Sequence, residues 1–225
     1  MQLKSFMNKN YILTLKKKVS LKALEIVSNA EIIAIGSGST VNEFIKIFAE
    51  SKKKIPVICA SIASENLAIE LGLNVLPFST PCEVEYYVDG ADEVDSHKNM
   101  IKGGGGALTR EKTLSQFSRK FICIVDESKK VENFGKFPVP IEISQPFLEY
   151  GIEYIKKIGG IAKIRDDFKT DNGNLIIDCS NLDFSNIESL EMTLNSIPGA
   201  LTNGIFSINK AHHVLIGKKD KVELM

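Results

Sequence analysis

The chain has 225 residues, of which 44% are hydrophobic and 25% are charged, so it can bury a core and is not intrinsically disordered. Lysine and arginine together number 28, as do aspartate and glutamate, and this balance argues against a nucleic-acid partner. No segment approaches the roughly 18 consecutive apolar residues of a membrane span, and the N-terminal segment lacks the apolar core of a signal peptide. We therefore expect no membrane partner and no cleaved leader.

The cysteines and histidines are too scattered for a metal site or a disulfide framework. They are Cys59, Cys82, Cys123, Cys179, His97, His212 and His213. No two cysteines form a C-x-x-C pair, and no histidine stands at a metal-ligand spacing from them. We therefore expect reduced thiols, no metal ion and a cytoplasmic protein.

Over the first two-thirds of the chain, short apolar runs alternate with amphipathic helical patterns. The apolar runs predict strands at Ile32–Ile35, Pro56–Cys59, Asn74–Phe78, Tyr86–Val88 and Phe121–Val125. Helices are predicted at Val41–Glu50 and at Ser64–Leu71, the second ending at Gly72. The alternation predicts an α/β, Rossmann-like, mostly parallel sheet with helices on both faces. Because ligands of such sheets bind beyond the carboxyl ends of the strands, the loops at those ends are the candidate sites.

The pattern changes after the proline-bearing segment 135–142. Strands are then predicted at Val139–Ile143, Ile161–Arg165, Leu175–Cys179 and Ala200–Ile208, helices at Phe147–Ile158 and Ile187–Asn195, and a hairpin turn at Asn172-Gly173. The order β-α-β-β-α-β is typical of a smaller ferredoxin-like α+β domain. We expect this domain at 137–208 and the Rossmann-like domain at 1–136 and 209–225, with the last apolar run returning to the first sheet.

The loop after the first predicted strand, GSGST, leads directly into a helix. Gly36 and Gly38 allow a tight turn, and the amides and hydroxyls of Ser39 and Thr40 would open the helix, which is a favourable place for a phosphate or carboxylate. A dinucleotide fingerprint is excluded because Val41 occupies the third glycine position, and a Walker loop is excluded because no lysine precedes the Ser-Thr pair. Plain helix capping remains the alternative.

Two further loops follow predicted strands. Ser61 and Ser64 precede a helix, a pattern that is more often a cap than a ligand site. The third loop, VDGADEVD, carries four acids within seven residues, namely Asp89, Asp92, Glu93 and Asp95. A calcium loop is excluded because Val94 stands where glycine is required. The acids either form a solvated turn or orient hydroxyls and move protons in a pocket.

A fourth loop, KGGGGALTREK, places four glycines between a lysine and a helix. The flanking charges favour a site over a flexible linker, because glycines allow backbone amides to approach a ligand closely. Lys102 can stabilise a developing oxyanion, and Glu111 lies early in the helix. The helix dipole favours an ionised Glu111 and burial favours a protonated one, and the sequence leaves both protonation states open.

A fifth loop, VDESKK, contains Lys129, which is either a further anion partner or a solvated lysine.

Taken together, GSGST, the serines of SIAS, DGADE, KGGGGALTREK and FICIVDESK resemble ribose-5-phosphate isomerase, type A, in order and spacing over nearly the whole chain. The resemblance implies an enzyme that interconverts ribose 5-phosphate and ribulose 5-phosphate through an enediolate, in the non-oxidative branch of the pentose phosphate pathway. It also implies a metal-independent homodimer without a cofactor, built from a Rossmann-like and a ferredoxin-like domain.

The resemblance also assigns roles to residues. It implies Glu111 as the proton acceptor, assisted by Asp89, Asp92 and Lys102. Substrate contacts are implied for Ser37, Gly38, Ser39, Thr40, Asp89, Gly90, Ala91, Asp92, Lys102, Gly103, Gly104, Gly105 and Lys129, with Lys16 as a further phosphate contact. Three positions depart from the family pattern, with Ser37 in place of threonine, Ala60 in place of serine and Gly106 in place of alanine.

Two other classes of protein compete with the isomerase. An amino-sugar phosphate deaminase or a lactonase could use similar loops but would not need both DGADE and the glycine loop. A noncatalytic sugar-phosphate sensor is expected to lack a proton acceptor or to carry a DNA-binding module, whereas Glu111 is present and no such module is visible.

Overall fold

The computed structural model describes residues 2–80 and 82–225. Its contacts divide the chain into two compact units. The first unit comprises the chain up to Gly90 together with Phe117–Lys130 and Ala211–Met225, and the second comprises Ala91–Gln116 and Val131–Lys210.

Helices and strands alternate through most of the chain. In chain order they are α1 (Gln2–Ile26), β1 (Ile33–Ile35), α2 (Ser39–Glu50), β2 (Val57–Cys59), α3 (Ile62–Glu70), β3 (Val75–Leu76), β4 (Val84–Asp89), β5 (Glu93–Val94), β6 (Met100–Ile101), α4 (Leu108–Gln116), β7 (Ser118–Asp126), β8 (Val139–Ile143), α5 (Leu148–Lys157), β9 (Ile161–Ile164), β10 (Leu175–Ser180), α6 (Ile187–Asn195), β11 (Ala200–Asn203), β12 (Ile205–Phe206), β13 (His213–Gly217) and β14 (Val222–Leu224). Two short 3₁₀ turns lie at Glu127–Lys129 and Gln145–Phe147.

The first unit is built on a seven-stranded sheet with the order β14-β13-β7-β4-β1-β2-β3. All neighbouring strands are parallel except β14, which is antiparallel to β13. Strand β1 is buried along its whole length, as expected for a parallel strand covered on both faces. In α2, the stripe of Val41, Phe44, Ile45 and Phe48 is fully buried in the core. The predicted Rossmann-like sheet is thus confirmed, including the return of the last apolar run as β13.

The second unit contains a four-stranded antiparallel sheet with the order β11-β8-β10-β9. Its chain order β8-α5-β9-β10-α6-β11 confirms the predicted ferredoxin-like pattern. Ile141, Ile143 and Ile177 form one apolar core with side chains of α5 and α6. Glu142 and Asp178 alternate with these residues along β8 and β10 and therefore belong to the opposite face of the sheet.

The predicted strand Ala200–Ile208 is interrupted at Gly204. Its first part pairs with β8, and its second part, β12, leaves this sheet to pair with β6. Glycine is required at the break because a Cβ atom on Gly204 would lie 2.3 Å from the Lys102 carbonyl oxygen. Strands β12, β6 and β5 form a separate small sheet, which short-range periodicity did not reveal.

This small sheet also affects the division of the chain. The sequence placed 91–116 in the Rossmann-like domain, whereas these residues pack within the second unit, as do 131–136. The reason is long-range pairing, because β12 joins β6 across about a hundred residues of sequence, from Ile205 to Ile101.

Among the described helices, none combines the length and apolar character needed to cross a membrane.

The four cysteines are free thiols, and Cys59, Cys123 and Cys179 are buried. Burial, assisted by the nearby Glu65 carboxylate, raises the pKa of Cys59 to about 12. Burial and the adjacent Asp178 raise the pKa of Cys179 to about 12 as well. Since the thiolate is the reactive form of cysteine, these two side chains are inert packing residues.

A buried ion pair joins α4 to α6 within the second unit. Lys112 Nζ lies 2.7 Å from Glu191 Oε1 and donates to the Ile205 carbonyl oxygen at 2.6 Å. Burial lowers the pKa of Lys112, and its partner Glu191 opposes that change. Burial alone would raise the pKa of Glu191, but Lys112, the Ser207 hydroxyl and the Ile208 amide hold it below its usual value.

We expect Lys112→Met to lower the free energy of unfolding by about 3–5 kcal/mol at pH 7, because it leaves the Glu191 carboxylate buried without its cation. The pKa of Glu191 is lower in the folded protein than in the unfolded chain, so its stabilising contribution is present above the unfolded pKa and is lost as pH falls through the folded pKa. Urea denaturation at neutral and acidic pH measures both effects. A matched Lys136→Met change at an exposed lysine should have almost no effect, and an equal loss in both variants would contradict this prediction.

Candidate active site

Several candidate residues of the first unit lie at one edge of its sheet. Strands β1, β4 and β7 are neighbours and run parallel, so their carboxyl ends share an edge. GSGST follows β1, Asp89 ends β4, and the turn containing Lys129 follows β7. This is the edge at which ligands bind in open parallel sheets.

The GSGST loop is held in place by Asp89. Asp89 Oδ1 accepts hydrogen bonds from the Ser37 amide at 3.0 Å and the Gly90 amide at 2.7 Å, and Oδ2 accepts one from the Tyr87 hydroxyl. A Cβ atom on Gly36 would lie 1.9 Å from the Asp89 carboxyl carbon, so only glycine permits this approach. Asp89 is fully buried, and the observed bonds make it a support for the loop. Its predicted contact with substrate hydroxyls stays a prediction.

The start of α2 offers anion-binding groups. Gly38 caps the helix with φ 93° and, as a glycine, supplies no side-chain hydrogen bond to its first amides. Lys16 Nζ donates to Ser39 Oγ at 2.8 Å, which brings a cation from α1 to the first turn, next to Thr40. A cavity of about 380 Å³ adjoins this turn and is lined by Lys9, Ile12, Leu13, Lys16, Ser39, Asn42, Glu43 and Lys46. Backbone amides and cations together at a helix start suit a phosphate.

Ser61 and Ser64 have another role. The Ser64 amide donates to Ser61 Oγ at 3.0 Å, and the two hydroxyls are 2.9 Å apart. Both residues are buried, so this pair caps α3, the alternative that the sequence favoured.

Lys129 ends the 3₁₀ turn after β7 and is partly exposed, so it can reach an anion at the sheet edge.

The second unit brings Lys102 and Glu111 together. Lys102 Nζ lies 3.1 Å from Glu111 Oε2, and their side chains are 3% and 4% exposed. Lys102 is held by its amide, which donates to the Gly204 carbonyl oxygen at 2.8 Å, and by the Phe206 ring, 5.4 Å from Nζ to the centroid. At 3.1 Å the ammonium stabilises the carboxylate form, the form that can accept a proton.

The glycines form a tight turn in which the Gly106 amide donates to the Gly103 carbonyl oxygen at 2.9 Å. Gly103 and Gly106 have φ of +97° and +80°, and a Cβ atom on Gly106 would lie 2.2 Å from the Phe168 ring. Asp92 Oδ2 accepts a hydrogen bond from the Gly104 amide at 2.8 Å. Backbone conformation therefore favours glycine at positions 103 and 106, and close packing requires it at 103, 104 and 106.

Sequence reasoning missed a support beneath the first turn of α4. Glu142 is fully buried and accepts hydrogen bonds from Thr109 and from three polar side chains of the 170–174 hairpin, which are Thr170, Asn172 and Asn174. Arg110 donates to Asn172 Oδ1 and to the Asp171 carbonyl oxygen, both at 3.1 Å. The Asn-Gly signal revealed the turn but not its contact with the helix that carries Glu111.

The predicted site residues therefore fall into two groups, one in each unit. The first unit holds Ser37, Gly38, Ser39, Thr40, Asp89, Gly90 and Lys129, and the second holds Ala91, Asp92, Lys102, Gly103, Gly104, Gly105 and Glu111. Within the described residues, no cluster of three or more His, Cys, Asp or Glu side chains is arranged to hold a metal ion.

Comparison with known proteins gives the family. The model of the family "Ribose 5-phosphate isomerase A (phosphoriboisomerase A)" matches residues 56–221. The chain belongs to this family. The match begins after the GSGST loop and includes the Lys102–Glu111 pair.

Full-length relatives agree with this assignment. A ribose-5-phosphate isomerase A of Acidithiobacillus ferrooxidans is 42% identical over 204 residues, which cover 90% of this chain and 93% of the relative. The crystal structure of ribose 5 phosphate isomerase A from Neisseria gonorrhoeae has a TM-score of 0.90 and 36% identity, with 94% and 95% of the two chains covered. A D-ribose-5-phosphate isomerase in complex with phospho-erythronic acid also has a TM-score of 0.90, with 34% identity and coverage of 95% and 98%.

Proposed function

We propose that this chain interconverts ribose 5-phosphate and ribulose 5-phosphate, an aldose–ketose isomerisation in the pentose phosphate pathway, with Glu111 as the base. The observation that carries the proposal is the Lys102–Glu111 pair, a carboxylate beside an ammonium in a buried position. A proton acceptor next to a fixed positive charge suits the enolisation of a sugar, which needs a base and stabilisation of the developing oxyanion.

The reaction then needs one proton to move from C2 to C1 and another to move from the C2 oxygen to the C1 oxygen. The open-chain aldose has a carbonyl at C1, and Glu111 removes the proton from C2. The C2–H electron pair forms a C1–C2 double bond, and the C1 carbonyl becomes an enediolate oxygen. Glu111 returns a proton to C1, the C2 hydroxyl gives up its proton and becomes the ketone, and the C1 oxygen takes up a proton and becomes a hydroxyl, so the product has the same atoms as the substrate.

Stabilisation of the enediolate falls to groups of the second unit. Lys102 supplies positive charge, and the exposed Gly104 and Gly105 form a turn whose backbone can approach the sugar closely. We assign to Asp92, whose carboxylate accepts a hydrogen bond from the Gly104 amide, the holding of a hydroxyl and the proton transfer between O1 and O2. No step in this scheme calls for a metal ion or a cofactor.

Phosphate binding falls to groups of the first unit. The amides and hydroxyls of Ser39 and Thr40 open α2, and Lys16 and Lys129 supply the charge. Ser37 and Gly38 shape this loop, and Asp89 holds it through the Ser37 amide. The relative in complex with phospho-erythronic acid, a phosphorylated sugar acid, supports a site for a phosphate and a chain of hydroxyls.

The decisive experiment is incubation of the protein with ribose 5-phosphate in deuterated water. Formation of ribulose 5-phosphate with deuterium incorporated at the exchanging carbon is expected. Release of ammonia from an amino-sugar phosphate would instead indicate a deaminase, hydrolysis of a sugar lactone would indicate a lactonase, and binding without turnover would indicate a sensor.

We also propose a cytoplasmic homodimer. The dimer rests on family resemblance alone, and light scattering coupled to gel filtration measures it. The four free cysteines support a reducing compartment, since secreted proteins commonly oxidise such thiols. Fractionation of the source cells measures the location.

Lys129→Ala should raise KM and weaken inhibition by inorganic phosphate, with kcat nearly unchanged, because the phosphate does not react. The matched control is Lys130→Ala, which removes the adjacent lysine that is paired with Glu223 at 3.0 Å. If both variants shift KM equally, the effect is one of general surface charge and Lys129 has no specific phosphate contact.

A further inference from the structure

Arg165, at the end of β9, binds the backbone of the glycine turn. Its Nη1 donates to the Gly103 carbonyl oxygen at 3.2 Å and to the Gly104 carbonyl oxygen at 3.0 Å. The other side of the guanidinium faces Asp178, with Nε 2.9 Å from Oδ2 and Nη2 2.5 Å from Oδ1. The guanidinium therefore joins a strand of the ferredoxin-like sheet to two consecutive peptide groups of the turn.

These two hydrogen bonds fix the direction of the turn's amides. In a trans peptide the carbonyl of one residue and the amide of the next point in opposite directions. The Gly103 carbonyl points to Arg165, and the Gly104 amide accordingly points to Asp92. By the same rule, the Gly104 carbonyl on Arg165 directs the Gly105 amide away from the guanidinium. Gly105 is exposed, and no acceptor for its amide lies among the described residues.

The position of Arg165 is well defined. Asp178 holds it in a bidentate pair, and its side chain is only partly exposed. The Phe168 ring lies 5.4 Å from the guanidinium carbon and also packs against Gly106, the last residue of the turn. Glycines alone would leave this turn mobile, because they restrict φ and ψ so little. Arg165 supplies the missing constraint from outside the turn.

We propose that Arg165 is a positioning residue for the isomerisation, held by Asp178, which aims the Gly105 amide at the enediolate oxygen and keeps Asp92 on the Gly104 amide. This inference rests on the proposed function. Arg165 itself touches no reacting atom in this scheme. It acts through two carbonyl groups, so its effect falls on the transition state and not on the phosphate.

The test compares Arg165→Lys, Arg165→Ala and Asp178→Asn with Lys163→Ala, an exposed lysine on the same strand. Arg165→Lys keeps the charge but loses the planar fork that reaches Asp178 and both carbonyls at once. We expect kcat to fall by about 10–100-fold in the Arg165 variants, the usual result of a small misplacement of catalytic groups. KM should stay within about threefold of that of the wild type.

Two readouts separate positioning from a general loss of structure. The inhibition constant of phospho-erythronic acid should rise in the Arg165 variants, which means weaker inhibition, whereas the inhibition constant of inorganic phosphate should not change. Added guanidinium ion, at a concentration too low to unfold the protein, should restore part of the activity of Arg165→Ala and leave the activity of Lys163→Ala unchanged.

Unchanged kcat and unchanged phospho-erythronic acid inhibition in Arg165→Ala would overturn the inference. A parallel loss of affinity for inorganic phosphate, without guanidinium rescue, would also overturn it, because it would indicate a structural role alone. A failure of the proposed function is distinguishable from a failure of this inference. The first would appear as a wild-type protein without isomerase activity, whereas the second would appear only when the variants are compared with an active wild type.

Discussion

Glu111→Gln is expected to lower kcat by about 10²–10⁴-fold, the usual contribution of a positioned general base. Glutamine has nearly the same size and can still form hydrogen bonds, but it cannot accept the C2 proton at neutral pH. KM should change little, because the phosphate and hydroxyl contacts come from other residues. Kinetics with ribose 5-phosphate measure the change, and the variant should also lose exchange of the C2 hydrogen with deuterated solvent.

The matched control is Glu149→Gln, which changes an exposed carboxylate in the first turn of α5. Because Glu111→Gln removes the partner of the buried Lys102 ammonium, a lower melting temperature is also expected, and activity should be measured well below it. Near-normal turnover in Glu111→Gln would move the search for the base to Asp89 and Asp92. Of these two, Asp92 is the better placed, since Asp89 is fully buried among three donors.

Lys102→Met should lower kcat by about 10²–10³-fold, the loss expected when one donor to a developing oxyanion is removed. Methionine keeps much of the apolar length that packs near Phe206 but removes the ammonium. Isomerisation and C2 hydrogen exchange should fall together, because both pass through the enediolate that Lys102 stabilises. Glu111 stays in place in this variant, so a small residual exchange is expected from the remaining amides.

Lys136→Met, at an exposed lysine of the same unit, serves as the control. Lys102→Arg adds a second comparison, since a guanidinium keeps the charge of this buried side chain but differs from the ammonium in size and shape. A Lys102→Met enzyme with normal kcat and a raised KM would show that the lysine binds ground state and transition state equally. That outcome would contradict its assignment to the enediolate.

Much of the architecture follows from local sequence. The alternation of apolar runs with amphipathic helices predicted the parallel sheet, because parallel strands are buried on both faces and are therefore apolar throughout. The β-α-β-β-α-β order and the Asn172-Gly173 turn predicted the ferredoxin-like sheet, because the periodicity of each element and the turn residues are also local features of the sequence. The N-terminal helix α1 was not predicted as a long element, although its buried residues Leu15, Val19 and Ala23 repeat at a helical spacing of four.

The chemical identity of the candidate groups was also a property of the sequence. The residues of GSGST, DGADE and KGGGGALTREK fixed which amides, acids and lysines were available, and their order carried the resemblance to the family. Glu111 and Lys102 were both chosen for their chemistry before any distance between them was known. Their roles in catalysis stay predictions until the variants are measured.

Only the tertiary structure decided how these groups are held. The pairing of β12 with β6 placed Gly204 against Lys102, and no local pattern predicts a contact across about a hundred residues. The Asp89 carboxylate accepts a hydrogen bond from the Ser37 amide, 52 residues away in sequence, and no local pattern predicts that contact. Arg165 donates to backbone carbonyl groups, which every residue has. Neither its side-chain type nor its position in the sequence therefore predicts which residues it contacts. The sequence by itself determined the elements and the reactive groups, because these depend on local periodicity and side-chain chemistry. The supports of those groups depend on long-range backbone contacts, which exist only once the chain has folded.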